Sequence, residues 1–175
     1  MKIIMANVFD KITGTEHVVA ESSLLKATVT GHIYSLEMIA NTDNGSIVSR
    51  GEWVADQVFK AKAYAAGEAP LLVLTTPIAY NSNKRAYQDE KYFYNATGEI
   101  ARCYELCEGD IFTVSENAIT ALASAPVVGN YVGVQNGLYK EAASAGATGF
   151  VGRIIEKVAY TNSTSYRILV VKTGV

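Results

Sequence analysis

At 175 residues, 49% hydrophobic and 18% charged, the chain is too apolar to stay disordered, and it is long enough to bury a core as one domain or two small ones. A net charge of −2, with basic residues scattered so that Lys84-Arg85 is the only adjacent pair, argues against a phosphate-binding surface and therefore against nucleic acid. The longest apolar run, Ala69–Thr76, falls far short of the ~20 residues a helix needs to cross a bilayer, which argues against a membrane partner.

Residues 1–25 mix short apolar pairs with polar residues and read as an N-terminal arm or edge segment. The opening MKIIMANVFD is interrupted by Asn7 and Asp10, too early for the ~7–15-residue core of a signal peptide, so folding in a cytosol is expected; Met5 is an alternative start to Met1. Ala27–Ala40, rich in β-branched and aromatic residues, reads as a long strand bent at Gly31. Asn41–Gly45 is a turn by composition, and Ser46–Ser49 resumes as a strand, predicting a hairpin. Glu52–Ala66 fits two templates. As a helix it places Val54, Val58, Ala61 and Ala65 on one face before Gly67; as a strand over Gln57–Tyr64 it alternates Phe59, Ala61 and Ala63 against Val58, Lys60, Lys62 and Tyr64.

Pro70–Thr76 is almost wholly apolar and predicts a strand buried on both faces. Ile78–Glu90 is polar and reads as a surface loop, followed by the aromatic run Tyr92-Phe93-Tyr94. From Gly98 to Glu116 the pattern predicts a hairpin with strands Ile100–Cys107 and Asp110–Glu116 joined at Glu108-Gly109. Its register would oppose Leu106 to Ile111, Tyr104 to Thr113 and Cys103 to Val114, and its apolar groups on both faces call for cover on both sides. Asn117–Ala125 reads as a short helix, Val127–Val134 as a strand with a Gly-Asn turn or bulge, and Lys140–Gly149 as a surface loop. Phe150–Ala159 and Tyr166–Lys172, joined through Thr161-Asn162-Ser163-Thr164-Ser165, form a last hairpin. Turn signals every ~8–12 residues favour a mainly β antiparallel sandwich or barrel-like domain, with at most one or two short helices. That domain is expected over 26–175, with two β subdomains meeting near residue 97 as a variant.

Chemistry is hard to find in this chain. No nucleophile elbow, zinc-protease motif, Walker loop or dinucleotide fingerprint is present, and His17 and His32 are isolated. Cys103 and Cys107 on one strand would lie about 13 Å apart, beyond disulfide reach, and pack as small apolar groups. The acids Asp89-Glu90, and Glu105 with Glu108 and Asp110, are the residues from which a small hydrolase or a Ca²⁺ site would have to be built, but no spacing matches an EF-hand loop and an acidic hairpin tip is ordinarily just solvated. The expectation is a non-enzyme with no catalytic residue, no cofactor and no metal. Aromatic residues are the remaining candidates. Trp53, Tyr92 and Tyr94 serve either as core or as interface anchors, and Tyr80, Tyr87 and Tyr92 beside the polar loop are the platform that a glycan- or receptor-binding module would need.

Several stretches resemble small structural proteins of tailed bacteriophages, encoded beside the major capsid protein and read as capsid decoration or auxiliary head proteins. The stretches are Asn41–Val48, Val58–Ala61, Leu72–Pro77, Gly98–Leu106 and Gly109–Ser115, with Val128–Val132 and Phe150–Glu156 further on, together spanning about Asn41 to Lys172. The resemblance implies a β-rich virion component on the capsid exterior, assembled in the host cytoplasm, homo-oligomeric and bound to the major capsid protein lattice. It also favours strand for Gln57–Tyr64. It carries no catalytic residue over.

Overall fold

The computed structural model describes residues 16–76 and 89–174. Among the described residues, twelve strands form two sheets. In chain order they are β1 (Ala20–Leu24), β2 (Ile33–Glu37), β3 (Ile47–Ala55), β4 (Val58–Ala63), β5 (Leu71–Val73), β6 (Ile100–Glu105), β7 (Ile111–Ser115), β8 (Ile119–Thr120), β9 (Tyr131–Gln135), β10 (Leu138–Ala142), β11 (Val151–Tyr160) and β12 (Ser163–Lys172). The described residues also include one short helix, α1 (Ala27–Thr30), and single 3-10 turns at Glu90–Tyr92 and Glu116–Ala118. The mainly β expectation holds, and one of the two sheets is a closed barrel. No helix among the described residues is long and apolar enough to cross a membrane.

The barrel runs β2-β4-β3-β5-β6 and closes back on β2. All its pairings are antiparallel except β2 with β4. Barrel width grows with strand number, so five strands leave a narrow interior. Small side chains meet that limit: Ala61, Ala101 and Cys103 share the lumen with Leu36, Met38, Val48, Leu71 and Val73. The period of two then explains why β3 and β5 are apolar on both faces. Val48 and Leu71 turn into the barrel, whereas Ile47 and Leu72 turn outward into the larger core of the second sheet.

That second sheet is ordered β1-β7-β12-β11-β9-β10-β8. It must be strongly curled. β7 and β8 lie five strand spacings apart, roughly 24 Å if flat, yet only Glu116–Ala118 joins them, a span of at most about 14 Å. The concave face holds Phe112, Val114, Val132, Tyr139, Phe150, Ile154, Tyr166 and Ile168.

Three two-residue turns set the hairpins, each with both central residues at positive φ as a primed turn requires. They are Asp56-Gln57 (49° and 66°), Asn136-Gly137 (52° and 78°) and Thr161-Asn162 (49° and 59°). The last is the predicted terminal hairpin, and the first confirms strand for the doubtful segment. The middle one carries Asn-Gly between β-formers, yet sequence reasoning placed Lys140–Gly149 in a loop; Lys140–Ala142 belong to β10.

Four expectations are corrected. The Gly98–Glu116 hairpin does not exist as a pair: β6 belongs to the barrel and β7 to the curled sheet, where β7 bonds to β1 and β12. Asp110 is the reason. Its buried carboxylate accepts the N–H of Cys107 (2.8 Å) and of Lys26 (3.0 Å), closing a tight turn, while Gly109 N–H bonds to Val170 O at 2.9 Å and so hands the chain to β12. Ala27–Ala40 is not one strand, because Ala27–Thr30 winds into α1 and stops at Gly31, whose φ of 76° is the left-handed helix end. Its hairpin with Ser46–Ser49 fails as well, since β2 pairs with β4 and β6 instead. Asn117–Ala125 is a 3-10 turn and a two-residue strand rather than a helix. The carboxylate of Glu141 accepts the N–H groups of Leu122 and Val127, both at 2.8 Å, and a bond from Asn130 Nδ2, 2.7 Å away, which holds this stretch open against the sheet.

Candidate functional site

The lumen-facing side of the barrel does not end in aliphatic residues. Directly opposed residues share a face, so Arg50 (opposite Ala61), Phe59 (opposite Leu36) and Tyr34 (opposite Cys103) all continue the inward face toward one open end. There they meet. The rings of Tyr34 and Phe59 stand at 84° to each other with centroids 6.3 Å apart, forming a notch. The Arg50 guanidinium carbon lies in it, 4.9 Å from the Tyr34 centroid and 5.0 Å from that of Phe59. Trp53 closes the far side of Phe59, edge to face at 5.1 Å and 90°.

Local backbone chemistry puts them there. The β3–β4 register slips between Arg50 and Trp53, the signature of a bulge that re-aims side chains. Gly51 makes the slip feasible: a Cβ there would sit 2.9 Å from Lys60 O. Each ring pair contributes ~0.5–1.5 kcal/mol and each exposed cation–π contact ~0.5–1 kcal/mol, enough to hold the rotamers before any partner arrives. On the other side of the notch the Tyr34 hydroxyl donates to Glu105 Oε2 at 3.0 Å, and His32 Nδ1 lies 3.6 Å from the same oxygen. Burial, then the bond to Glu105, push the Tyr34 hydroxyl above its ordinary titration range, so it stays a neutral donor.

Trp53 is 58% exposed and Val54 beside it 42%, while Tyr34 and Phe59 are half-buried. Tryptophan, tyrosine and arginine are the residue types enriched in measured interface hot spots, and here an exposed tryptophan is packed in one cluster with an arginine and a tyrosine. Among the candidates that lie in the described residues, Trp53 is therefore the one that the structure builds into a surface. Of its two readings, core or interface anchor, Tyr94 takes the first: it is 7% exposed and its ring lies 4.8 Å from that of His17. Tyr92 is half-buried in the 3-10 turn with Lys91 Nζ 5.0 Å above its ring, so the strand-like alternation expected for Tyr92-Phe93-Tyr94 does not form. Tyr80 and Tyr87 lie outside the described residues. Sequence reasoning missed Arg50, Tyr34 and Phe59 as partners of Trp53. The alternation in 57–64 groups Phe59 with Ala61, but nothing local points Tyr34 to the same mouth.

The acids weighed for hydrolysis do other work. Asp110 is a turn staple, Glu105 serves Tyr34, and Glu90 Oε2 accepts from the Tyr160 hydroxyl at 3.2 Å. Among the described residues no group of three or more His, Cys, Asp or Glu side chains is arranged to hold a metal ion. The two histidines are each paired with an acid, His17 with Asp43 at 2.7 Å and His32 with Glu105. Comparisons with protein-family models, with curated proteins and with solved structures return no match.

Proposed function

We propose that this chain is a non-enzymatic structural subunit of a tailed-phage virion, decorating or cementing the capsid exterior in many copies. One observation carries the docking part of this reading: the preformed Arg50–Trp53–Phe59–Tyr34 platform, exposed at a barrel mouth where no fold requirement explains a large apolar ring in solvent. The capsid assignment is supported by the resemblance of the stretches between Asn41 and Lys172 to phage head proteins. A subunit of this kind needs only weak single contacts, because a repeating lattice multiplies them through effective concentration.

The test is co-sedimentation with tailed-phage heads emptied of DNA and stripped of auxiliary protein, alongside sedimentation velocity of the free chain. Retention with the heads, abolished by Trp53→Ala in a variant whose melting curve is unchanged, is the expected result. A chain that remains in the supernatant at about micromolar concentration would remove the proposal.

A further inference from the structure

The platform also indicates what chemistry its partner presents. Among the described residues, Arg50 is exposed and has no ion pair or hydrogen bond, although acids stand on the same hairpin (Glu52, Asp56) and below the notch (Glu105). The guanidinium carbon is held by the Tyr34 and Phe59 rings rather than by hydrogen bonds, which leaves its N–H donors without an acceptor among the described residues. A planar fork of donors, held in place beforehand, matches a carboxylate through two parallel bonds. Beside it, the exposed Trp53 ring and Val54 offer apolar surface.

We infer that the barrel mouth binds a carboxylate side chain flanked by an aliphatic residue on a partner protein, with Arg50 taking the carboxylate and Trp53 the aliphatic group. This rests on the docking reading above and specifies its partner chemistry. Nucleic acid, the other anion that Arg and aromatics recognise, fits less well. A phosphate chain would bring a charge every few ångströms past Glu52, Asp56 and Glu105, whereas one carboxylate needs only Arg50. The part of β11 past Ile154, which the pairing with β9 does not reach, is a poorer interface: its register with β12 shifts between Ile154 and Glu156, and it carries Lys157, both devices that blunt strand edges.

Trp53 is the single tryptophan, so its emission reports occupancy directly. Titration uses acetyl-Leu-Asp-Leu-amide, its Asn counterpart and a dodecamer of deoxythymidylate. The expected result is a saturable blue shift with the Asp peptide, weakened about tenfold with the Asn peptide and by Arg50→Lys, which keeps charge but not the fork. Equal response to both peptides, no saturation by about 10 mM, an unaffected Arg50→Lys, or tighter binding of the oligonucleotide overturns the inference. Arg50→Gln, with melting and circular dichroism matched to the parent chain, repeats the measurement should Lys disturb the notch. The titration needs no capsid. A positive titration with heads unbound removes the capsid reading alone, and a negative one with heads retained removes the carboxylate alone.

Discussion

The Tyr139 hydroxyl, buried completely in the curled sheet, donates at 2.7 Å to the backbone carbonyl of Gly45, in the turn that leads into barrel strand β3. Two residues further along, Ile47 N–H bonds to Gly137 O, also at 2.7 Å, so the β9–β10 hairpin is tied to the entry of β3 twice. Gly45 is needed there because its φ is 84° and a Cβ would press on Ala20 and Val114 at 3.1 Å. These two bonds tie together two sheets whose hydrogen-bond ladders are otherwise separate.

Tyr139→Phe should therefore cost more than an ordinary hydroxyl, because it leaves the Gly45 carbonyl buried without that donor. A loss of about 1–3 kcal/mol in urea unfolding is expected, with barrel and sheet still unfolding together. Separate transitions, followed by Trp53 fluorescence for the barrel and far-ultraviolet circular dichroism for the whole, would contradict the coupling.

Glu141 gives the fold an acid dependence. Burial works to raise its pKa, but the N–H groups of Leu122 and Val127 and the Asn130 amide outweigh that and hold it below its ordinary value. A carboxyl depressed in the fold contributes stability that is present above its unfolded pKa, near 4.3, and lost as pH falls through the folded value. Denaturant midpoints of the parent chain should fall below about pH 4.5, and Glu141→Gln should be less stable at pH 7 with a flatter acid limb. Parallel limbs would assign the acid loss to other carboxyls.

Gly152 lies under the core of the curled sheet, where a Cβ would meet Ile168 Cγ2 at 2.5 Å and Val132 Cγ2 at 3.0 Å. Both neighbours are fully buried, β-branched and short of room to turn. Gly152→Ala should destabilise by about 1–3 kcal/mol through overpacking, measured by thermal melting. An unchanged melting temperature would show that β11 can shift away from β9.

The two thiols should separate cleanly. Burial in the barrel pushes Cys103 up to about 12, leaving almost no thiolate at pH 8. Cys107 is half-buried and raised as well, by burial and then by Asp110 and Glu105. Iodoacetamide at pH 8 followed by mass spectrometry should label Cys107 slowly and Cys103 only after unfolding. Native labelling of Cys103 would mean that the barrel opens.

Local order in this chain is written in adjacent residues, and what could be read was of that kind. The patterns of Phe150–Ala159 and Tyr166–Lys172 with a polar link between them, and the apolar run Pro70–Thr76, depend on neighbours a few positions apart, so class, most strands and the last hairpin were legible, although the link proved to be only Thr161-Asn162 with Ser163–Ser165 already in β12. Pairing was not, because it is decided by which apolar face finds cover. Ile100–Glu105 and Ile111–Ser115 are separated by a tight turn and look like partners, yet each gains more by completing a different sheet, a choice made by Asp110, Lys26 and Val170 from 60 or more residues away in two of the three cases. The same holds for the platform. Trp53 could be singled out from its type alone, but its exposure, and its junction with Arg50, Phe59 and Tyr34, come from a barrel closure that brings β2 beside β4. Only tertiary structure could do that, since the rings share no local period and meet because a five-stranded barrel is too narrow to swallow them.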